Sequence, residues 1–358
     1  MITLGIETTA HTFGISILRD KTFLCNLREI YTTEKGGIIP IEAAKHHALI
    51  SENLLKQALE KSHITLTDIN IIAVSNAPGL APCLLQGMKF AKALAAKLKI
   101  PLVPVNHCIA HLEIGEVTKA KDPVLLYCSG ANTQIIAYAS GKYRIFGETL
   151  DMGIGNFIDT FARYSGLGFP GGKYIEELAL KSINKNLSSS NLNKYTTQKN
   201  KPNTNKESKL HIQNLIELPY SVKGMDVAFA GLLTNLKQKL DSKKYSLEDL
   251  SFSLQETAFA MLLETAERAM AHLGKKELLL GGGVACNSRL QEMAKTMCKE
   301  RGAKCFIPEK EFLVDNAAMI AWLGQKMFKS GIFFKPEDLD KLDINASQRT
   351  DQVNVSWK

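Results

Sequence analysis

A supersecondary unit that occurs twice along the chain limits the fold more than any other feature. Residues 4–17 read as a strand, a short polar turn and a returning strand, and residues 125–138 repeat this layout. One further strand follows each copy, at 23–30 and at 142–148. Because 358 residues exceed what one compact core usually holds, the repeat predicts two α/β lobes built on the same plan.

A strand, a glycine-bearing loop and a helix come later in each half. Residues 71–79 and 278–284 carry the strand and the loop. Helical patterns are predicted at 40–60, 84–98, 246–273, 285–301 and 316–328. Two lobes that each combine a three-stranded meander with crossover helices form the actin-like (ASKHA) fold of actin, sugar kinases and heat-shock ATPases. That fold holds a nucleotide between its lobes, but it serves kinases, chaperones, filaments and transferases, so it does not decide the function.

The repeat also predicts where each lobe begins and ends. We expect the first lobe at 1–118 and the second at 119–313, followed by a helix at 314–330 that packs back on the first lobe and a tail at 331–358. Residues 181–211 interrupt the second lobe and consist mostly of Asn, Ser, Lys and Thr. Such a segment has too few apolar residues to offset the entropy of ordering it, so we predict a disordered insertion.

The net charge of +8 at pH 7 suggests a nucleic-acid partner, but it is unevenly distributed. Residues 181–211 hold seven lysines and one acidic residue, a net charge of +6, and the rest of the chain is nearly neutral. These lysines could contact nucleic-acid phosphates, or they could belong to a solvated loop, which the low apolar content favours. A nucleic-acid function therefore has to be argued from motifs.

The composition indicates a reducing, aqueous compartment. No run approaches the roughly 18 apolar residues that a membrane span requires, and the N-terminus lacks a basic start that leads into an apolar stretch. The seven cysteines form no C-x-x-C pair, which fits neither a disulfide framework nor a zinc ribbon. We therefore expect a cytoplasmic protein with free thiols and no membrane partner.

Two histidines four residues apart are candidate metal ligands. His107 and His111 lie on one face of the helix expected after the strand at 102–105, and the alternative is a capped or surface helix. No glutamate follows His107, so the H-E-x-x-H pattern of zinc proteases lacks its catalytic base here. Asp315 precedes the helix at 316–328, either as its N-cap or as a third ligand. Two histidines and a carboxylate suit iron, manganese or zinc.

Four glycine-bearing segments could approach a nucleotide. Residues 280–290 combine a strand, a glycine turn and a helix start, where bare backbone and helix amides can meet phosphates. Residues 127–133 read as a hairpin turn with hydroxyl and amide donors. Residues 151–159 and 168–176 add glycines and carboxylates that could bind a ribose or an amino group. Taken alone, the glycine run at 280–290 is equally explained by a tight strand-to-helix turn, any Ser-Gly turn could resemble residues 127–133, and a solvated helix face is the better explanation of each carboxylate.

Together these sequence motifs resemble those of the universal tRNA threonylcarbamoyladenosine transferase family. The resemblance covers approximately residues 1–330, apart from the insertion. The motifs of the whole family are Gly5-Ile-Glu7, Ala77-Pro-Gly-Leu80, Asn106-His-Cys-Ile-Ala-His111, Ser129-Gly130 with Asn132-Thr133, Gly281-Gly-Gly-Val284 and Asp315-Asn316. The motifs typical of its archaeal and eukaryotic branch are Thr9-Ala-His-Thr12, Gly36-Gly-Ile-Ile-Pro40, Glu42-Ala-Ala-Lys-His-His47, His107-Cys-Ile-Ala-His-Leu-Glu-Ile-Gly115 and Lys223-Gly-Met-Asp-Val-Ala-Phe-Ala-Gly-Leu-Leu233.

The resemblance implies a metal ion and a nucleotide in each subunit. The metal would be iron, with zinc or magnesium as alternatives, bound by His107, His111, Asp315 and, in this branch, Tyr127. The nucleotide would be threonylcarbamoyl adenylate or an ATP-like molecule. Its implied contacts are Tyr127, Cys128, Ser129, Gly130, Ala131, Asp159, Gly172, Glu176 and Asn287. Ala131 and Ala317 stand where the family usually has glycine, and a positive φ at Ala131 would bring its methyl group into conflict.

The reaction that the resemblance implies is acyl transfer. Threonylcarbamoyl adenylate, made by a separate enzyme, would give its threonylcarbamoyl group to the N6 amine of the adenosine 3′ of the anticodon in tRNAs that read ANN codons. No residue stands out as the general base. The implied partners are tRNA and the subunits of a KEOPS-type complex: a small atypical kinase, a dimerisation subunit and a regulatory subunit. The alternatives are a small-molecule kinase of the same fold, against which the paired histidines argue, and a nucleotide-sensing scaffold.

Overall fold

A computed structural model describes residues 1–33, 37–189 and 215–358. These residues form two five-stranded mixed sheets and one two-stranded ribbon. Their strands are β1 (Ile2–Glu7), β2 (Thr12–Arg19), β3 (Thr22–Ile30), β4 (Ile71–Ala77), β5 (Leu102–Asn106), β6 (Val124–Cys128), β7 (Thr133–Ala139), β8 (Lys142–Glu148), β9 (Val222–Lys223), β10 (Asp226–Val227), β11 (Glu277–Gly281) and β12 (Lys304–Phe306).

Helices cover the faces of both large sheets. In the described residues they are α1 (Pro40–Ser62), α2 (Ala81–Leu98), α3 (His107–Glu113), α4 (Ile154–Tyr164), α5 (Gly172–Ser189), α6 (Ala230–Asp241), α7 (Leu247–Leu273), α8 (Ser288–Glu300), α9 (Lys310–Leu313) and α10 (Ala317–Lys329). The predicted helix at 285–301 begins later than expected, because Asn287 adopts an extended backbone conformation and caps α8. Residues 283–286 form a separate single 3-10 turn.

The two large sheets have the same topology. The first has the strand order β3-β2-β1-β4-β5 and the second β8-β7-β6-β11-β12. In each, the first three strands in sequence form an antiparallel meander. The fourth strand pairs in parallel with the first, and the fifth pairs in parallel with the fourth. The central parallel strands are buried on both faces, which explains their continuous apolar runs. The duplicated actin-like arrangement predicted from the sequence is confirmed.

The C-terminal part of the chain contacts both sheets. Helix α10 packs against β1, β2 and β4 of the first sheet. Beyond α10, the backbone of Phe334 pairs with Leu102 on β5. Arg349 then forms an ion pair of 3.0 Å with Glu148 on β8. Residues 331–358 therefore connect the edge of one lobe to the edge of the other.

One sequence-based expectation is wrong. Residues 181–189, predicted to belong to a disordered insertion, continue helix α5. The helix packs against α7: Ile175 and Ala179 are buried, and the hydroxyl of Ser182 donates a hydrogen bond of 2.6 Å to Asp249. These tertiary contacts stabilise a segment whose own composition does not favour order. Residues 190–211 of the predicted insertion lie outside the described residues.

None of the helices in the described part of the chain combines the length and the apolar character that a membrane span requires.

Candidate metal and nucleotide site

Helix α3 begins directly after β5 and carries two buried histidines one turn apart. The side chain of Asn106 caps it by accepting a hydrogen bond of 3.2 Å from the backbone N–H of Ile109. The ring centroids of His107 and His111 are 4.8 Å apart, and both side chains are buried. The paired histidines therefore face the interior of the molecule, which excludes the surface-helix interpretation.

Asp315, two residues before α10, does not cap that helix. The N-cap is Asn316, whose side chain accepts a hydrogen bond of 3.0 Å from the N–H of Met319. Oδ1 of Asp315 instead lies 3.3 Å from Nε2 of His107 and 3.6 Å from Nε2 of His111. One ligand atom from each of the three residues lies within 4.8 Å of the other two. The structure thus brings together three of the residues that sequence analysis named as metal ligands.

Two observations indicate that this group fits a metal ion. Among the described residues, neither ring nitrogen of the buried His111 has a hydrogen-bond partner, a costly arrangement unless a ligand binds there. Nδ1 of His107 lies 3.0 Å from Oε2 of Glu7, and metal-binding histidines commonly donate their second ring N–H to a carboxylate. Two imidazoles and one carboxylate are a donor set for iron, manganese or zinc.

The charges within this group strongly affect one another. Burial alone would lower the pKa of His107, but the Glu7 and Asp315 carboxylates raise it well above its usual value. Burial would likewise raise the pKa of Asp315, but the positive charge of His107 holds it well below its usual value. The pKa of His111 is lowered, first by burial and further by the charge of His107. His107 is therefore the protonated imidazole of the pair, and His111 the neutral one.

Tyr127, near the end of β6, lies against the histidine pair. Its ring centroid is 4.8 Å from that of His111, and the side chain is 1% exposed. Burial raises the pKa of the phenol well above its usual value. We call His107, His111 and Asp315 the metal-fitting group. The chain runs from Tyr127 directly into Cys128 and Ser129, so β6 connects this group to the predicted nucleotide loops.

Sequence analysis assigned no role to Glu7 or Thr9, which adjoin the histidines. Glu7 is fully buried, and its carboxylate accepts a hydrogen bond of 2.7 Å from the N–H of Thr9. The hydroxyl of Thr9 lies 3.3 Å from Nδ1 of His107. One feature of the sequence could have identified Glu7: it ends a mostly apolar strand, and a carboxylate buried there requires partners.

The glycine turn after β11 packs against the hairpin turn after β6. Gly282 has a φ of +88°, and a Cβ atom at this position would lie 2.2 Å from the carbonyl oxygen of Cys128. Only glycine fits such a position. A Cβ on the neighbouring Gly283 would meet no atom within 4 Å. Gly282 is therefore required for packing, and Gly283 leaves exposed backbone beside the turn.

The hairpin turn at 129–132 is held by its own hydrogen bonds and by helix α4. The N–H of Ser129 donates to the carbonyl of Asn132 at 2.8 Å, and the Ser129 hydroxyl lies 3.1 Å from the same oxygen. The N–H of Gly155, in the first turn of α4, donates to the Ser129 carbonyl at 3.1 Å. Gly130, between these contacts, is exposed. The turn is therefore a fixed surface rather than a loose loop.

Three more of the predicted nucleotide residues lie near this turn. Ala131 is exposed and its φ is not positive, so the conflict considered for its methyl group does not arise. Asp159, on α4, accepts a hydrogen bond of 2.7 Å from the N–H of Gly171, and burial raises the pKa of this carboxyl. Gly172 begins α5, where a Cβ atom would meet nothing within 4 Å. The start of α5 thus adjoins the carboxyl of Asp159.

Glu176 and Asn287 meet at the start of helix α8. The carboxylate of Glu176 accepts a hydrogen bond of 2.8 Å from the N–H of Ser288. Oδ1 of Asn287 accepts from the N–H of Leu290 at 3.2 Å, and its amide nitrogen donates to Oε1 of Gln255 at 2.5 Å. The Asn287 side chain therefore has a structural role, because it caps α8 and holds Gln255.

Comparison with known proteins decides the family. The family model described as "TsaD: tRNA N6-adenosine threonylcarbamoyltransferase" matches residues 24–322. The chain is 50% identical over 357 residues to the tRNA N6-adenosine threonylcarbamoyltransferase of the archaeon Thermococcus kodakarensis, with 100% of both chains covered. The chain belongs to the TsaD family. It is therefore an enzyme, a transferase that modifies the N6 position of adenosine in tRNA.

Other TsaD relatives are longer than this chain. A probable bifunctional tRNA threonylcarbamoyladenosine biosynthesis protein from Methanosarcina mazei is 47% identical, and the match covers 99% of this chain but 59% of that protein. The corresponding protein of Methanocaldococcus jannaschii is 46% identical, with 100% and 60% covered.

Solved structures support the fold that the TsaD family implies. The crystal structure of T. kodakarensis HypF matches with a TM-score of 0.54 at 14% identity, over 92% of this chain and 48% of that chain. Full-length HypF in its phosphate- and nucleotide-bound form matches with a TM-score of 0.53 at 11% identity, over 92% and 56%. At such low identity these structures support the actin-like fold alone.

Proposed function

We propose that this enzyme transfers the threonylcarbamoyl group of threonylcarbamoyl-AMP to the N6 amine of the adenosine 3′ of the anticodon, in tRNAs that read ANN codons. One observation supports this proposal most directly: the buried strand β6 connects the metal-fitting group to the glycine-bearing turn at 129–132. The ring of Tyr127 lies 4.8 Å from that of His111, and the chain then enters the turn at 129–132. Such an arrangement can hold an activated acyl group between a metal ion and a nucleotide surface.

The adenylate would bind on the second lobe. The turns after β6 and β11 offer exposed backbone, and α4, α5 and α8 supply carboxylates and an amide around them. The residues that we propose for this surface are Tyr127, Cys128, Ser129, Gly130, Ala131, Asp159, Gly172, Glu176 and Asn287. The fixed shape of the 129–132 turn supports this assignment, because a rigid surface orders a ligand at a lower entropic cost.

We propose that His107, His111, Asp315 and Tyr127 hold one metal ion, with iron as the first choice and zinc or magnesium as alternatives. The unpartnered nitrogens of His111 and the carboxylate of Glu7 behind His107 support this assignment. A metal ion bound there would act as a Lewis acid toward the carbamoyl or phosphate oxygens. The protein itself would contribute mainly the alignment of the two substrates, since the exocyclic amine of adenosine is a poor nucleophile.

We also propose that the chain acts in the cytoplasm within a KEOPS-type complex with a small atypical kinase, a dimerisation subunit and a regulatory subunit. The bifunctional relatives support the idea of a companion, because about two fifths of each lies outside the part that matches this chain. In them a further activity is joined to the same polypeptide. Here we infer that separate subunits supply what those relatives carry in one chain.

The test follows a labelled group into tRNA. Radiolabelled threonine and bicarbonate are supplied with ATP, the enzyme that makes the adenylate, this protein and its candidate partners. We expect label in a tRNA that reads an ANN codon, and none when the adenosine 3′ of the anticodon is replaced by guanosine. Label that appears without this protein, or equally in the guanosine variant, would contradict the proposal.

A further inference from the structure

The turn between β1 and β2 carries an imidazole to which none of the roles above applies. His11 is partly exposed, yet its Nδ1 atom is buried and has no hydrogen-bond partner in the part of the chain that the structure describes. The backbone on both sides of the ring is fixed. The N–H of Tyr31 donates to the carbonyl of His11 at 2.8 Å, and Nε2 of the buried His47 donates to the carbonyl of Ala10 at 3.0 Å. His11 therefore has a defined position and an unused polar atom.

His47 strengthens the evidence that this region receives a ligand. Its side chain is fully buried, and burial lowers its pKa to about 4, so it is neutral at physiological pH. Because Nε2 carries the proton that the Ala10 carbonyl accepts, Nδ1 of His47 is an acceptor, and no described residue donates a hydrogen bond to it. Nδ1 of the adjacent His46 is likewise buried, and it has no partner within residues 1–33, 37–189 and 215–358. Buried polar atoms without partners are rare and indicate a bound water or ligand.

His11 is linked to the metal-fitting group through a nearby residue of its turn and to the proposed adenylate surface through its charge. Two residues before it, the hydroxyl of Thr9 is 3.3 Å from Nδ1 of His107. On the opposite lobe, burial raises the pKa of Asp159, while the charges of Arg163 and His11 lower it, which brings His11 within electrostatic range of that carboxyl. A molecule bound between the lobes at this turn would therefore lie near the metal-fitting group and near Asp159.

Transfer to an exocyclic amine requires a group that accepts a proton at this place. The N6 nitrogen carries two hydrogens and must lose one when it becomes acylated, and imidazole is the side chain that most often accepts protons in enzymes. Among the described residues that face the cleft here, His107 and His111 belong to the metal-fitting group. Asp159 already accepts the N–H of Gly171. His11 is not a proposed metal ligand, and its Nδ1 atom has no hydrogen-bond partner among the described residues.

We propose that His11 is the catalytic base of the transfer, an inference that rests on the function proposed above. N6 of the adenosine forms a bond to the carbamoyl carbon as the bond from that carbon to the phosphate oxygen breaks. AMP leaves with the electron pair of the broken bond. The proton from N6 passes to the imidazole of His11, directly or through one bound water, and is later released to solvent.

The test is a single-turnover experiment with tRNA, the candidate partner subunits and preformed, labelled threonylcarbamoyl adenylate, which removes the need for adenylate synthesis. The transfer rate should fall about 100-fold or more in His11→Ala and in His11→Gln, since a general base contributes about 10²- to 10⁴-fold. Adenylate affinity should stay close to that of the unmodified protein. Free imidazole should restore part of the rate of His11→Ala in a concentration-dependent way. His272→Ala, at an exposed position near the end of α7, is the matched control and should transfer at the unmodified rate.

The outcomes separate this inference from the proposed function. If the unmodified protein transfers no label, the proposed function fails. If it transfers label and both His11 variants keep its rate, His11 is not the base. A lower rate with weaker adenylate binding and no rescue by imidazole would also overturn the proposal, because His11 would then bind substrate without accepting a proton. Should His11→Ala lose its fold by circular dichroism, His11→Gln and its rate decide the question.

Discussion

Oε2 of Glu7, at the end of β1, lies 3.0 Å from Nδ1 of His107, at the start of α3. This contact turns the other ring nitrogen of His107 toward Asp315, whose Oδ1 is 3.3 Å away. A strand and a helix that are far apart in sequence therefore cooperate to orient one imidazole. In metal sites such a second carboxylate fixes the ring and increases its basicity.

Replacing Glu7 by glutamine should weaken metal binding about 10- to 100-fold, because the amide keeps the size of the side chain but removes the charge that supports His107. Competition with a chelator of known affinity measures the loss. Glu52→Gln, at an exposed position on α1, is the matched control and should bind metal as tightly as the unmodified protein. Equal affinities of both variants would show that Glu7 does not support the metal.

Metal binding should release protons at neutral pH, and affinity should rise with pH. The reason is the raised pKa of His107. Burial lowers this pKa, but the Glu7 and Asp315 carboxylates raise it well above its usual value. The ring is therefore protonated at pH 7, and an ion that binds its Nε2 must displace that proton. Titration calorimetry in two buffers of different ionisation enthalpy counts the protons. A heat of binding that is the same in both buffers would contradict the prediction.

Gly282→Ala should destabilise the protein by about 1–3 kcal/mol, because its φ of +88° is unfavourable for alanine. The new Cβ would also lie 2.2 Å from the Cys128 carbonyl oxygen and would displace the turn proposed to bind the adenylate. Thermal unfolding and calorimetry with an adenylate analogue should show both effects.

Gly283→Ala is the control, since its Cβ meets nothing within 4 Å and its φ is not positive. It should change stability by less than about 0.5 kcal/mol. If the two variants behave alike, the packing between the turns does not matter.

Asn287→Ala should lose both stability and adenylate affinity, and the two losses have different causes. Removing the cap of α8 costs about 1 kcal/mol, because the N–H groups of Arg289 and Leu290 lose their acceptor. Asn287→Ser keeps a capping oxygen but removes the amide, so it should retain most of the stability and still bind the adenylate weakly. Binding restored by serine would show that the cap alone matters. Neither variant should change tRNA affinity, since these contacts are local.

The fold was largely predictable because its strand meanders form between segments that are adjacent in sequence. The predicted strand at 142–148 coincides with β8, since alternating residues in a tight meander specify a strand without distant contacts. The end of α5 was not predictable. Its residues 181–189 are polar, and their helix depends on the packing of α5 against α7, a contact between segments distant in sequence.

The site was predictable in part for the same reason. His107 and His111 are four residues apart, so helical periodicity alone places them together. The distance between Glu7 and His107 depends on how β1 and β5 flank β4 in the first sheet, which no local pattern reports. The two caps of α8 and α10 also escaped prediction, because Asn287 and Asn316 resemble ligand-binding residues as much as helix caps.

The central claim is that the group of His107, His111 and Asp315 holds a metal ion that the transfer requires. The most direct test measures metal content and single-turnover transfer from threonylcarbamoyl adenylate to tRNA in one preparation of the His107→Ala/His111→Ala double variant. We predict that the variant keeps the circular dichroism spectrum of the unmodified protein but loses both its metal and its transfer activity. A double variant that retains stoichiometric iron or zinc and modifies tRNA at the full rate would contradict the account.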